Sequence, residues 1–430
     1  MDRRAFLMLL MAGVADPTSN VVPPLTAGPP TPEAPQPPRP VVQSGDAGFD
    51  AWAEGFYERA IKAGLPAALL DRELVGLTPD PRIGALDTRQ PEFAKPFSDY
   101  IKGVVSEDRV AIGRRKRADL QPFLGPIERT YGVSPDVLLG VWAMETGFGT
   151  ILGNFDVIRS MASLAAQGRR RDFAEDQLMA ALKIIGSGEF PRSRLIGSWA
   201  GAMGQTQFIP TTFLSTAVDG DGDGKRDIWG SSADALASAA NLLAKGGWVR
   251  GQGWAEEVTV PPGFDFSVTE GPTLTPAAWS NLGVKRADGL PWAASDAGAD
   301  TVLIAPTGAG GPLFLLFPNH FVIRKYNNAT TYALAVGLLA DRFAGAGPLV
   351  TPWPVEIPLS LPDRIAAQQA LLALGFDPGK PDGVVGINTR SALRAWQKSR
   401  GLVADGYLSI GMVGLLKAEV PVLGPPPPRT

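Results

Sequence analysis

The chain has no cysteine among its 430 residues and a single histidine, His320. Without thiols there are no disulfides, no zinc thiolate sites and no cysteine nucleophile. With His320 as the one imidazole, a Ser-His-Asp triad or a multi-histidine metal site is almost unavailable. Hydrolytic chemistry therefore falls to carboxylates. A strong charge of either sign is also missing, since 40 Lys and Arg against 43 Asp and Glu leave a net charge of −3. That is too little to hold the chain on nucleic acid or on an anionic membrane surface. The basic runs Arg114-Arg115-Lys116-Arg117 and Arg169-Arg170-Arg171 then read as solvated helix faces, and no nucleic-acid partner is expected. Nor is there a long apolar run. Ala5 to Val14 is too short to span a bilayer comfortably, and the lack of cysteine removes a lipoprotein anchor, so no stable membrane span is expected.

A chain of this length fits one large domain with a small one, or two to three of medium size. Asp2-Arg3-Arg4 before the short apolar run, with Gly13 and Ala15 as small residues for a peptidase, reads as an export signal over 1–15. Arg3-Arg4-Ala5-Phe6-Leu7 resembles a twin-arginine signal, and an ordinary secretory signal fits equally. A periplasmic mature form is expected. Residues 16–45 are Pro-rich with few large apolar residues and form a linker that cannot offset its ordering entropy. A second linker, 346–360, contains Gly347-Pro348-Leu349-Val350-Thr351-Pro352-Trp353-Pro354, and a Pro-rich tail occupies 421–430. Between them lie a catalytic body, 46–345, and a small module, 361–420. Apolar spacings of three and four predict helices over Phe49–Leu74, Val110–Tyr131, Ser134–Met144, Arg171–Ile185, Ala233–Gly246 and Thr331–Phe343. β-Branched and aromatic runs at Glu257–Val260, Thr301–Ala305 and Leu313–Arg324 predict a small inserted sheet. The fold class is mainly α, in an α+β arrangement.

One carboxylate stands out. Ser134-Pro135-Asp136 starts a helix with an N-cap hydroxyl, a proline at the first position and an acid where the helix dipole favours it. Leu138, Val141, Trp142 and Glu145 then fall on one stripe, which puts Glu145 in register with core residues. Burial there raises a carboxyl pKa, as a general acid near neutral pH requires. Gly147 and Gly149 end the helix and leave backbone room for a bound chain. A frayed helix end with Glu145 in water is the plain alternative.

Glu145-Thr146-Gly147-Phe148-Gly149 resembles the Glu-Ser/Thr-x-x-Gly signature of lysozyme-like lytic transglycosylases. The segment from Gly197-Ser198-Trp199 through Met203-Gly204-Gln205-Thr206-Gln207 to Pro210 is similar to the second signature of the membrane-bound lytic murein transglycosylase B family. Tyr326-Asn327 before Tyr332-Ala333-Leu334-Ala335-Val336 resembles its third, and Asp87 through Phe93, with Gln90-Pro91-Glu92-Phe93, is another family-like stretch. The resemblance implies a lysozyme-like fold over 46–345, Glu145 as the catalytic group, and Ser198, Gln207, Tyr326 and Asn327 along the sugar sites. Small residues and side-chain amides in the second segment suit an oligosaccharide groove in their own right.

Asp219, Asp221, Asp223, Lys225 and Asp227 match positions one, three, five, seven and nine of an EF-hand loop, with Gly224 at its sharp turn. Position twelve is Gly230 rather than glutamate, so the loop cannot close in the ordinary way. The family resemblance implies Asp234 as the substitute. A structural Ca²⁺ is expected, and no cofactor for catalysis, because glycoside cleavage by a carboxyl group needs no metal. In 361–420, Asp382-Gly383-Val384-Val385-Gly386 is echoed by Asp405-Gly406-Tyr407-Leu408-Ser409, each before a helix. With Gln368-Gln369-Ala370-Leu371 and Ala392-Leu393-Arg394-Ala395-Trp396-Gln397, this resembles the small three-helix peptidoglycan-binding domain. The Asp-Gly pairs read as turn scaffold rather than ligand contacts.

Two-carboxylate hydrolysis would need a second acid. Asp156, Glu175 and Asp176 follow Glu145, none in so distinctive a segment. The preferred reading is a lytic murein transglycosylase that opens the MurNAc-β-1,4-GlcNAc bond of peptidoglycan glycan strands to a 1,6-anhydro end without water. The alternative is a hydrolytic muramidase of lysozyme type. A catalytically dead wall-binding scaffold is a further rival that Glu145 argues against, and complexes with other cell-wall enzymes stay open.

Overall fold

A computed structural model describes residues 43–88 and 95–420. The expected export signal, nearly all of the first linker, the Gln90-Pro91-Glu92-Phe93 stretch and the Pro-rich tail lie outside the described residues. The chain forms two compact units, one from 1–89 with 149–235 and one from 90–148 with 236–430.

In the first unit, the helices Val157–Ala166 and Arg171–Gly186 pack on each other through fully buried faces that include Met161, Leu164, Leu178 and Leu182. The stretch expected as one helix from Phe49 to Leu74 is two, Ala47–Lys62 and Ala67–Leu74. Gly64, at φ 86°, and Pro66, which has no amide to donate, break it. Glu175 fixes the first of these helices by accepting from the indole of Trp52 at 2.8 Å and from Arg59 at 2.7 Å. A two-residue ribbon, β1 (Phe155–Asp156) with β2 (Ile196–Gly197), pairs antiparallel.

In the second unit, the helix Pro135–Thr146 packs against Thr330–Ala344. A Cβ on Gly140 would stand 2.6 Å from the carbonyl oxygen of Val336, so only glycine permits this crossing. The expected helix Val110–Tyr131 is again two, Glu107–Asp119 and Gln121–Tyr131, and Pro122 opens the second. The sheet comprises β3 (Ala255–Thr259), β4 (Lys285–Arg286), β5 (Val302–Ile304) and β6 (Leu313–Leu316). Its order is β4-β3-β6-β5, antiparallel throughout, with Glu257 opposite Phe314. The run Leu313–Arg324, expected as strand, leaves the sheet at Leu316, because Pro318 starts the helix Pro318–Tyr326.

The three C-terminal helices, Leu361–Ala373, Ile387–Ser399 and Ile410–Glu419, close around Leu371, Leu393, Trp396 and Leu416. Both Asp-Gly turns are scaffold, since the amides of Gly383 and Gly406 donate to the side-chain oxygens of Gln368 and Gln397 at 2.7 and 2.8 Å. This module is also fixed to the sheet region of its unit. Glu270, at φ 57°, pairs with Arg390 at 2.7 Å and Arg394 at 2.9 Å. The segment 346–360 is held as well: Val350 and Thr351 donate their amides to Glu257, and Glu356 accepts from the Ser98 amide and the Tyr407 hydroxyl. No helix among the described residues is long and apolar enough to cross a membrane.

Candidate active site and metal loop

The Glu145 helix begins as its sequence dictates, with the Ser134 hydroxyl accepting from the Asp136 amide at 3.3 Å. It ends at Gly147, left-handed at φ 58° and ψ 50°, whose amide reaches the Ala143 and Trp142 carbonyls. Phe148 is left-handed too, at φ 63°, a strained conformation for a side-chain-bearing residue. Its ring packs edge-on against Trp142 at 5.6 Å. Leu138, Val141 and Trp142 are buried as the stripe requires, and Glu145 terminates that stripe half-buried.

The Tyr332 hydroxyl donates to Glu145 Oε1 at 2.6 Å. Burial raises the Glu145 carboxyl to about 8, and the Tyr332 hydrogen bond opposes that rise only in part. A proton held at that affinity is present at neutral pH and can be given to a leaving oxygen. Burial and the charge of Glu145 together push the Tyr100 phenol up to about 12, so Tyr100 shares this electrostatic environment. Tyr326 stacks on Tyr332, with ring centroids 6.4 Å apart and planes 15° from parallel, and Asn327 follows it at the helix end. Tyr332 and Tyr100 are site residues that sequence reasoning did not single out. Tyr332 stood inside a quoted segment, but its pairing with a glutamate 187 positions away leaves no local pattern. His320 is a core residue, buried and stacked on Trp254 at 6.2 Å. Burial pushes its imidazole down to about 3.

Ser198 and Gln207 belong to the first unit. Ser198 is buried; its hydroxyl accepts from the Ala202 amide at 3.0 Å and its own amide donates to the Ala202 carbonyl at 2.8 Å. A Cβ on Gly197 would stand 2.0 Å from that same carbonyl, which explains the run of small residues. Gln207 adopts φ 53°, and its side-chain nitrogen donates to the carbonyls of Leu152 and Gly204 at 3.2 and 3.0 Å.

In the acidic loop, carboxylate oxygens of Asp219, Asp221, Asp223 and Asp234 all lie within 4.8 Å of one another. Asp234 is buried, and its two oxygens accept the amides of Gly220, Asp221 and Asp227. The amides of Gly222 and Gly224 donate to Asp219 and, with Gly224 foremost, hold its carboxyl below the ordinary value. Burial raises that of Asp234, and the charge of Asp221 adds to the rise. Four converging carboxylates with hard oxygen donors fit a Ca²⁺ ion. The carboxylate of Asp227, in contrast, turns to Arg194 at 2.6 Å and to the amides of Trp229 and Gly230. The Lys225 amide donates to Asp223 at 2.8 Å.

Residues 48–341 match the transglycosylase SLT domain family. The chain belongs to that family. Residues 360–416 match a peptidoglycan binding domain. This SLT-family chain is 29% identical over 251 residues to the membrane-bound lytic murein transglycosylase B of Escherichia coli (strain K12), across 57% of this chain and 66% of that protein. Its fold is similar to SltB3 from Pseudomonas aeruginosa in complex with NAG-anhNAM-pentapeptide, with a TM-score of 0.83 and 46% identity over 86% of this chain and 100% of that one. It is also similar to the Escherichia coli lytic transglycosylase Slt35 in complex with calcium, with a TM-score of 0.57 and 26% identity over 68% of this chain and 92% of that one.

Proposed function

We propose that this chain, a peptidoglycan lytic transglycosylase, opens the MurNAc-β-1,4-GlcNAc bond without water and leaves a 1,6-anhydro-muramic end. The observation that carries this reading is the carboxyl of Glu145, pushed up to about 8 by desolvation and hydrogen-bonded by the Tyr332 hydroxyl. Glu145 gives its proton to the glycosidic oxygen as the C1–O bond breaks, and the substrate's own acetamide supports the cation at C1. The carboxylate so formed takes the proton of the muramic 6-hydroxyl, whose oxygen bonds to C1. Atoms balance and Glu145 ends protonated again. Ser198, Gln207, Tyr326 and Asn327 are proposed to line the sugar sites.

Two of the three acids that a hydrolytic muramidase would recruit have other work, and the third, Asp176, is exposed on the helix Arg171–Gly186. Asp156 accepts from Arg192 at 2.8 Å and caps a helix at the Arg159 amide, while Glu175 holds Trp52 and Arg59. Mass spectrometry of muropeptides released from purified sacculi decides the matter: anhydro products are lighter by one water, and hydrated reducing ends would overturn the proposal.

A Ca²⁺ ion held by Asp219, Asp221, Asp223 and Asp234 is proposed as a purely structural element. It would neutralise the clustered carboxylates and pin the loop, with no part in proton transfer. The relatives are bacterial cell-wall enzymes, and action outside the cytoplasm follows. Periplasmic residence after twin-arginine export is the finer proposal.

A further inference from the structure

The helix Phe97–Val104 carries Tyr100 and packs against the Tyr332 helix, Thr330–Ala344. Its start lacks a local cap, because Pro96 stands at the N-cap position and its side chain accepts nothing. The acceptor comes from 258 positions further along the chain, where Glu356 Oε2 takes the Ser98 amide at 2.6 Å. A carboxylate suits that place, since the helix dipole favours negative charge there. The other oxygen of Glu356 accepts the Tyr407 hydroxyl at 2.7 Å. Tyr407 belongs to the C-terminal three-helix module, and its turn lies flush on the body. A Cβ on Gly308 would stand 2.8 Å from the Tyr407 Cβ, and the Ala309 amide donates to Asp405 at 3.0 Å. The segment around Glu356 is extended along the same helix: Trp353 packs on Phe97 at 5.6 Å and on Phe314 of β6 at 6.0 Å. Val355 and Ile357, on either side of Glu356, are 94% and 64% exposed. At this point the carboxylate, not apolar burial, fastens the segment.

We infer that Glu356 is a positioning residue for the reaction at Glu145: its one carboxylate caps the helix that carries Tyr100 and is itself oriented by Tyr407, so that the C-terminal module steadies one side of the catalytic centre. The inference rests on the reading of Glu145 as the acid. A helix of two turns does not hold itself in water, and its place is set by caps and packing. Without Glu356 the first turn loses its acceptor and frays, and Tyr100 draws back from the Tyr332 helix. The charge of Glu145 reaches the Tyr100 phenol, so this withdrawal admits water near the acid. Burial is what raises the Glu145 carboxyl, and water lowers it again.

The test is the pH dependence of kcat/KM on short soluble glycans, below the melting range of each variant, with retention on sacculi followed separately. Glu356→Ala should lower kcat about tenfold and move the alkaline limb down by about half a pH unit, with retention unchanged. Glu356→Gln, which keeps an acceptor for the amide, should fall between this variant and the parent. Tyr407→Phe, which leaves the cap in place, should shift the limb in the same direction by less. A lowered melting temperature with kcat and limb at parent values would make Glu356 a structural fastening only and overturn the inference. If Glu356→Ala does not fold, Tyr407→Phe decides on the same limb. Glu145→Gln separates the two readings. A parent-like limb in Glu356→Ala beside an inactive Glu145→Gln overturns the role of Glu356 alone, whereas an active Glu145→Gln overturns the assignment of the acid and this inference with it.

Discussion

Glu145 and Asp219 are both carboxylates, yet the protein moves their proton affinities in opposite directions. Glu145 has protein packed around it and one hydroxyl donor, and its carboxyl rises to about 8. Asp219 lies at an exposed turn ringed by backbone amides, and its carboxyl falls. Desolvation without compensating donors produces a proton carrier; donors without desolvation produce a fixed anion suited to a cation. Asp234 stands between the two cases. It is as buried as any described residue yet accepts three amides, and burial still prevails in raising it. The loop's design therefore leaves a charge problem that a bound cation would relieve, whereas the Glu145 site leaves a proton.

The largest test of this contrast is Glu145→Gln, which keeps the shape of the side chain and removes the proton. Product formation should fall by about 10²- to 10⁴-fold, since both the acid and the base step are lost. Stability should move the other way. A folded carboxyl raised from 4.5 to about 8 contributes most below pH 4.5, and that contribution is lost as pH rises through 8. The variant cannot ionise, so its melting temperature should exceed that of the parent increasingly from pH 5 to pH 9. Near-normal anhydro product would assign the chemistry to another acid.

Tyr332→Phe is the next in size. The hydroxyl favours ionised Glu145, so its loss should lift the alkaline limb of the kcat/KM profile to higher pH. The rate should drop roughly tenfold, the worth of about one hydrogen bond. A limb that moves down in pH would mean that Tyr332 braces the neutral acid instead. At the loop, Ca²⁺ at about 100 times its Kd should raise the melting temperature by roughly 5 °C. Asp234→Asn should abolish that rise, and chelator should leave turnover of short glycans unchanged. A melting curve indifferent to both Ca²⁺ and chelator would contradict a metal site.

The Glu145 helix was legible because its signals are local: a hydroxyl cap, a proline at the first position, a stripe of spacing three and four, and glycine at the stop. The acidic loop was legible for the same reason, though the turning away of Asp227 toward Arg194 depends on a residue outside the motif. Long-range pairings left no trace. Nothing near Glu145 in sequence announces Tyr332, and nothing in the proline-rich segment 346–360 announces that Glu257 and Glu356 fasten it. Proline misled in the sheet region as well, where β-branched content through Arg324 read as strand and Pro318 turned the second half into helix. The export signal lies outside the described residues.

The glycine at the crossing of the Glu145 and Tyr332 helices has a mechanical consequence. Gly140 meets the backbone of Val336 with no room for a methyl group, so the two helices behave as one beam clamped near its middle. Glu145 lies five residues from the clamp on one helix and Tyr332 four residues from it on the other, on the same side. Prying the clamp open by even an ångström would swing both ends and spoil the alignment of acid and hydroxyl, without touching either. An added methyl at Gly140 would therefore act on acid and hydroxyl together from a position that touches neither.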